Sequence, residues 1–277
     1  MCITIENYFD LKKITLNSLL ILLLLMVAMP ASAQRKKVMN LPKYDLDAYH
    51  FGFILAGNQM YYSMKMDQGY QLEKYDGSYW PESPNNDEIS LYSLTAVPTP
   101  GFTIGIVGNL RLGNHFDLRF IPSLSFGERH LDYVIKQYKD GDESLVSFRK
   151  SNSSTFVEFP LHLKFRSKRL NNAAAYLIGG VNYTIDLASQ KKNEFQISDP
   201  NDPLNNITVV EGVLKKRNDL ALEIGTGFDF YTNFFKFGVE LKMSYGLGNI
   251  LVKDNFIYSS SIESLRNKVF QISFTFE

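Results

Sequence analysis

His130 and Asp132 are a pair of side chains whose types and spacing suit acid–base chemistry. Residues two positions apart lie on the same face of an extended strand, so the imidazole and the carboxylate would be neighbours. However, neither a nucleophile nor a second pair of carboxylates accompanies them in a recognisable arrangement. We therefore expect no catalytic residue in this protein, and the sequence gives no indication of a cofactor or a metal site.

His162 belongs to a larger group of titratable residues that recur at every second position of several segments. A proton shuttle is one interpretation of such a histidine, but a hydrogen-bonded histidine with a structural role is favoured. The group balances both signs of charge, which predicts mutual ion pairing inside the protein; a functional polar tunnel is the alternative. Its members are Arg111, Arg119, Lys164, Arg166, Lys236 and Lys242, with Asp117, Glu158, Asp186, Glu223, Asp229 and Glu240.

Neither phosphate binding nor nucleic-acid binding is indicated. The pair Gly179-Gly180 and the residues Gly225 and Gly227 lie inside predicted strands, not at a strand-to-helix turn. Such glycines indicate local curvature of a sheet and not a phosphate-binding loop. The formal net charge is zero and the chain has no long basic run, which excludes the electrostatic pattern of a nucleic-acid binder.

Residues 1–33 are typical of a cleaved signal peptide. Lys12 and Lys13 precede an apolar run over residues 19–29, and residues 31–33 supply small side chains at the cleavage position. The alternative is a transmembrane anchor. The apolar run is only about half of the roughly 20 residues that a spanning helix needs, so we expect cleavage.

The mature protein is then expected to begin at Gln34, with a short periplasmic extension over residues 34–48 and a single folded domain over residues 49–277. The only cysteine, Cys2, lies upstream of the cleavage point. The mature chain is therefore predicted to have no disulfide and no thiolate chemistry, and it does not begin with a cysteine that could carry a lipid.

Alternation of apolar and polar residues with a period of two dominates the rest of the chain and predicts an all-β protein. Phe116, Leu118 and Phe120, for example, share one face of a strand, while Asp117 and Arg119 share the other. Most of the predicted strands have about the 9 to 11 residues that a tilted strand needs to cross a membrane. The eight predicted strands are 49–60, 101–112, 116–126, 156–166, 174–187, 220–231, 235–247 and 267–276.

The links between these strands alternate between short and long. The short links are 113–115, 167–173 and 232–234, and the long polar links are 61–100, 127–155, 188–219 and 248–266. Short periplasmic turns and long outer loops are typical of an outer-membrane β-barrel, and an even number of antiparallel strands closes the sheet. The sequence therefore predicts an eight-stranded antiparallel barrel embedded in the lipid bilayer of the outer membrane.

The first long link is the predicted recognition surface, because it combines acidic and aromatic residues; an ordinary long loop is equally compatible with its composition. These residues are Asp67, Tyr70, Tyr75, Tyr79, Trp80, Glu82, Asp87 and Glu88.

Several segments resemble the PorT family of outer-membrane β-barrels, which are components of the type IX secretion system that in some bacteria also supports gliding motility. The most specific are KRLNN from Lys168, DLASQKK from Asp186 and LVKDN from Leu251, whereas RFIPSLSFGER from Arg119 and EFPLHLKF from Glu158 resemble a broader set of small barrels. The resemblance covers essentially the whole mature chain.

The resemblance implies a non-enzymatic role in the export or surface assembly of cargo proteins. Other secretion-system subunits are the implied partners, and neither a small-molecule substrate nor a nucleic acid is expected. Two alternatives stay open. One is a general small outer-membrane barrel with an adhesin-like or envelope-structural role, and the other is an integral-membrane enzyme.

Overall fold

The computed structural model describes residues 38–77, 88–189, 193–198, 206–211, 213–253 and 257–277. The predicted signal peptide lies outside these residues. Within them, the strands are β1 (Tyr49–Met66), β2 (Tyr75–Asp76), β3 (Glu88–Val97), β4 (Thr99–Arg111), β5 (Phe116–Phe120), β6 (Ser123–Lys139), β7 (Asp142–Arg166), β8 (Ala173–Asp186), β9 (Asn193–Ser198), β10 (Asn206–Glu211), β11 (Leu214–Lys215), β12 (Asn218–Tyr231), β13 (Lys236–Gly246), β14 (Leu251–Val252) and β15 (Ile262–Phe276). Two short 3-10 helices span Tyr44–Leu46 and Tyr70–Leu72. None of the helices in the described part of the chain is both long and apolar enough to cross a bilayer.

The main sheet is antiparallel and closes on itself. Strand β1 pairs with β15 on one edge and with β4 on the other. The complete circuit runs β1, β15, β13, β12, β8, β7, β5, β4 and back to β1. Because the circuit is closed, the backbone groups of its strands find partners within the sheet, as a hydrocarbon environment requires. The predicted antiparallel β-barrel is confirmed.

Apolar side chains cover the outside of this circuit. Along β15, Phe270, Ile272 and Phe274 are exposed, whereas Ser273 and Thr275 between and beyond them are buried. A water-soluble protein has the opposite arrangement, with apolar side chains inside. An outer wall of this kind is stable only when lipid covers it, as the alternation predicted.

The three short links lie at one end of the barrel, which we call the turn end. They span residues 112–115, 167–172 and 232–235, within one residue of the prediction at each boundary. The opposite end, which we call the loop end, carries the long links. In the third predicted strand, the interruption at residues 121–122 separates β5 from β6, because Pro122 has no N–H for the ladder.

The prediction that residues 127–155 form a long polar link between two strands is wrong. Strands β6 and β7 continue through this segment as one long hairpin, which turns at Asp140 and Gly141 with positive φ angles of 51° and 89°. Other strands also extend at the loop end: β1 reaches Met66 and β15 begins at Ile262. In these extensions the apolar side chains face inward and the polar side chains face outward, which is the reverse of the wall, because water and not lipid surrounds this part of the hairpin.

Inward-facing residues of these extensions form an apolar cluster at the loop end, which we call the cap core. Strands and connecting segments both contribute to it, so the long links pack over the barrel. Its buried members are Tyr62, Ile89, Leu91, Leu131, Tyr133, Ile135, Val213, Ile250, Leu251, Ile257, Tyr258, Ile262 and Leu265.

Charge should be tolerated differently on the two faces of the wall. Leu161 and Leu241 are 43% and 53% exposed on the outer face, whereas Ser123 faces the lumen beside Glu158. We expect Leu161→Arg or Leu241→Arg to lower the free energy of unfolding by about 2 to 4 kcal/mol and to impair insertion. Ser123→Lys should insert well, because the new ammonium can pair with Glu158. Urea unfolding in lipid vesicles measures both effects, and equal losses at the two faces would contradict the assignment.

Candidate functional site

The centre of the lumen is occupied by an ion pair between two fully buried side chains. Arg119 on β5 donates from Nη1 to Glu240 Oε2 on β13 at 2.7 Å, and the Tyr176 hydroxyl donates to the same oxygen at 3.0 Å. Strands β5 and β13 lie on opposite sides of the closed circuit. The pair therefore crosses the lumen and obstructs it.

A second group of charges surrounds Glu223. Lys242 Nζ donates to Glu223 Oε2 at 2.9 Å, Asn182 donates to Glu223 Oε1 at 3.0 Å, and His162 Nε2 lies at hydrogen-bond distance from Oε2. A carboxylate with three such partners is well compensated in a buried site. This arrangement favours the structural interpretation of His162 over a proton shuttle.

The turn end is closed by contacts of Glu277 and of the segment that precedes β1. Lys236 Nζ lies 2.9 Å from an oxygen of Glu277, the last residue, and Lys164 Nζ lies 2.7 Å from Asp229. From the N-terminal segment, Asp45 pairs with Arg166 and accepts a hydrogen bond from the Tyr231 hydroxyl at 2.9 Å.

Residues 39–48 of the predicted extension thus pack across the turn end. Tyr44 stacks on His50 with ring centroids 3.7 Å apart. The sequence did not reveal this contact, because no periodicity connects an irregular segment with its acceptor strands.

Arg129 joins the polar lumen to the cap core. Its guanidinium donates to Asp186 at 2.8 Å and to the Ser154 hydroxyl at 2.7 Å, and it lies 4.5 Å and 4.9 Å from the ring centroids of Tyr62 and Phe156. Sequence analysis missed this residue because the predicted strand ended at residue 126. Continuing the alternation by three residues would have placed Arg129 on the inward face.

Two members of the predicted lumen group do not form lumen ion pairs. Arg111 lies at the turn end and donates to the carbonyl oxygens of Gly113 and Leu46 at 3.0 Å and 3.2 Å, because its strand ends there. Glu158 is buried and accepts a hydrogen bond from Ser123 at 3.3 Å. No cation of the described chain lies within ion-pair distance of Glu158. For these two residues the prediction of pairing is wrong.

His130 and Asp132 do not form an acid–base pair. Both carboxylate oxygens of Asp132 accept hydrogen bonds from Arg149, at 2.6 Å and 2.8 Å, and these bonds lower the pKa of Asp132. His130 Nε2 lies instead 3.8 Å from Glu128. Within the described residues, no cluster of three or more His, Cys, Asp or Glu side chains is arranged to hold a metal ion.

The described part of the first long link contributes to the packing of the loop end. Asp67 lies 2.6 Å from Lys253, and the Tyr75 hydroxyl lies 2.7 Å from that of Ser260. Tyr70 and Tyr75 pack against the cap core, and Glu88 pairs with Lys74 at 2.5 Å. The other predicted recognition residues, Tyr79, Trp80, Glu82 and Asp87, lie outside the described residues.

Removing one partner of the Arg119–Glu240 pair should be costly if the lumen contains no water. We expect Arg119→Met or Glu240→Leu alone to lower the free energy of unfolding by about 3 to 5 kcal/mol, because each removes the closest counter-charge of a buried group. In Glu240→Leu, Arg119 keeps only the longer contact of 3.8 Å to Glu277 among the described carboxylates. The double variant should recover most of that loss. As a control, Arg149→Met removes one partner of a solvent-exposed pair and should change little. Urea unfolding distinguishes these outcomes; small, additive losses would mean that water fills the lumen.

Comparison with known proteins agrees with this architecture. The profile of the family described as "Outer membrane protein beta-barrel domain" matches residues 48–252. A search of curated proteins returns no match.

Among solved structures, Neisserial surface protein A is 10% identical with a TM-score of 0.37, and the match covers 83% of this chain and 99% of that one. OprG from Pseudomonas aeruginosa is 11% identical with a TM-score of 0.34, covering 83% and 94%. The outer membrane protease OmpT from Escherichia coli is 12% identical with a TM-score of 0.32, covering 87% and 97%. At these identities the likenesses carry no information on activity. The family profile spans more than half of the chain, and the protein belongs to the outer membrane protein beta-barrel domain family.

Proposed function

We propose that this integral outer-membrane protein is a non-enzymatic component of a type IX protein secretion system, required for the export or surface assembly of cargo proteins. The obstructed lumen is the observation that supports a role other than that of the conduit for cargo. Ion pairs connect opposite walls, the cap core covers the loop end, and the N-terminal segment covers the turn end.

A small barrel with a filled interior has no room for a folded cargo. The protein would therefore act through contacts with other secretion-system subunits, while a separate pore carries the cargo. Support for the secretion role itself comes from the PorT-like segments of the sequence. Gliding motility would depend on the protein in bacteria whose secretion system also drives gliding.

The proposal includes the arrangement of the protein in the membrane. We count eight membrane-crossing strands, with β3 and β6 as outer continuations of β4 and β5. The turn end would face the periplasm, since short turns occupy that side in barrels of this kind, and the loop end would face outward.

Export and processing can be tested on the native protein. We expect the mature chain to begin at or near Gln34 and to fractionate with the outer membrane. N-terminal sequencing after separation of the two membranes measures both properties. Recovery of an intact Met1 terminus in the inner membrane would contradict the proposed signal peptide.

Deletion of the protein should block surface delivery of type IX cargo and leave unprocessed cargo within the cell envelope. The wild-type gene should restore delivery, and the matched Leu161→Arg variant should not, because it inserts poorly. The purified barrel should also show no appreciable ion conductance in planar bilayers, since its lumen is filled.

The two measurements separate the parts of the proposal. Normal cargo delivery in the deletion strain would contradict the secretion role and favour the adhesin-like or envelope-structural alternative. A large and steady conductance would contradict the obstructed lumen, even if delivery were lost.

A further inference from the structure

The outer face of β15 changes from apolar to basic at the loop-end margin of the wall. Phe274, Ile272 and Phe270 are outward-facing and exposed. The next two residues on the same face, Lys268 and Arg266, carry positive charge. Side chains at this margin lie at the level where the acyl chains of the bilayer give way to the headgroups.

Aromatic residues of the two neighbouring strands flank these cations. In the strand register, Lys268 lies directly opposite Tyr61 of β1 and Tyr245 of β13. The Lys268 ammonium lies 5.5 Å from the Tyr61 ring centroid, and the Arg266 guanidinium lies 5.9 Å from that of Tyr245. We call Tyr61, Tyr245, Arg266 and Lys268 the basic rim.

The cations of the basic rim are not neutralised by acids. In the part of the chain that the structure describes, no carboxylate lies within ion-pair distance of Arg266 or Lys268; the nearby Glu263 pairs instead with Lys65 at 2.7 Å. The β6–β7 hairpin, on the other side of the barrel, differs. There Arg149 pairs with Asp132 at 2.6 Å and Lys136 with Glu143 at 2.5 Å. Unlike these paired cations, Arg266 and Lys268 keep their positive charge without a carboxylate partner among the described residues.

We infer that the basic rim binds the phosphate group of a phosphorylated glycolipid in the outer leaflet. A guanidinium and an ammonium together suit a phosphate, the first by paired hydrogen bonds and the second as a point charge. Tyrosine side chains at the interface place their rings against acyl chains and their hydroxyls among headgroups. A membrane lipid is favoured over an acidic protein because the cations directly adjoin the lipid-covered wall. The inference rests on the proposed orientation, with the loop end outward.

Lipid titration of the purified, folded protein in detergent tests this inference. The probe is bis-phosphorylated lipid A, with fully dephosphorylated lipid A as the reference, and native mass spectrometry counts bound lipid. A basic residue near an anionic surface strengthens binding about fivefold, so the Arg266→Gln/Lys268→Gln variant should bind the phosphorylated lipid about twenty-fivefold more weakly. The charge-preserving variant Arg266→Lys/Lys268→Arg should retain binding.

The control is Lys136→Gln/Arg149→Gln, which removes two paired cations of the exposed β6–β7 hairpin and should leave lipid binding unchanged. Circular dichroism and the thermal transition verify that each variant is folded. Equal binding of the two lipids by the wild type, or equal loss in the basic-rim and control variants, would overturn the inference. Binding of acidic proteins without a preference for the phosphorylated lipid would also overturn it. The assay involves no cargo, so its outcome is independent of the secretion role.

Discussion

The ion pair between Arg119 and Glu240 is the interaction on which the arrangement of the barrel depends most directly. It connects opposite walls, and neither side chain has exposed surface. A buried charge without a partner costs several kcal/mol, so strands that carry lumen charges are stable only when they meet the strands with the complementary charges. The charges that fill the lumen therefore also select the correct closure of the sheet.

The surroundings of the wall change along the barrel, and the packing changes with them. Where lipid covers the wall, apolar side chains face outward and charges are enclosed. Beyond that band, Leu131, Tyr133 and Ile135 turn inward to the cap core, and polar residues face water. Arg129 lies where the two arrangements meet: its guanidinium donates to Asp186 and lies 4.5 Å from the ring centroid of Tyr62.

Because side chains fill the lumen and both ends are covered, only the outer surfaces of the barrel can contact other molecules. Three differ in chemistry: the apolar wall for acyl chains, the basic rim for headgroups, and the exposed hairpin of β6 and β7 for the aqueous phase. The hairpin carries paired charges such as Lys136 with Glu143. Under the proposed function, these outer surfaces would be the ones that contact partner subunits.

The sequence by itself determined the class of fold, the three short turns, the face on which each residue of a crossing strand lies, and the balance of charge in the lumen. These properties follow from the period of two, which is local. It did not determine that Arg119 meets Glu240, 121 positions away, or that Asp45 and Glu277 complete the turn end. Which residues pair in this way is decided by the stagger of the strands around the closed sheet and by the place where the irregular N-terminal segment folds back. The sequence also did not reveal the strand extensions at the loop end. In these extensions water replaces lipid outside the barrel, so the apolar residues move from the outer face of the strand to the inner face. Only the tertiary structure shows whether lipid or water surrounds a given part of a strand.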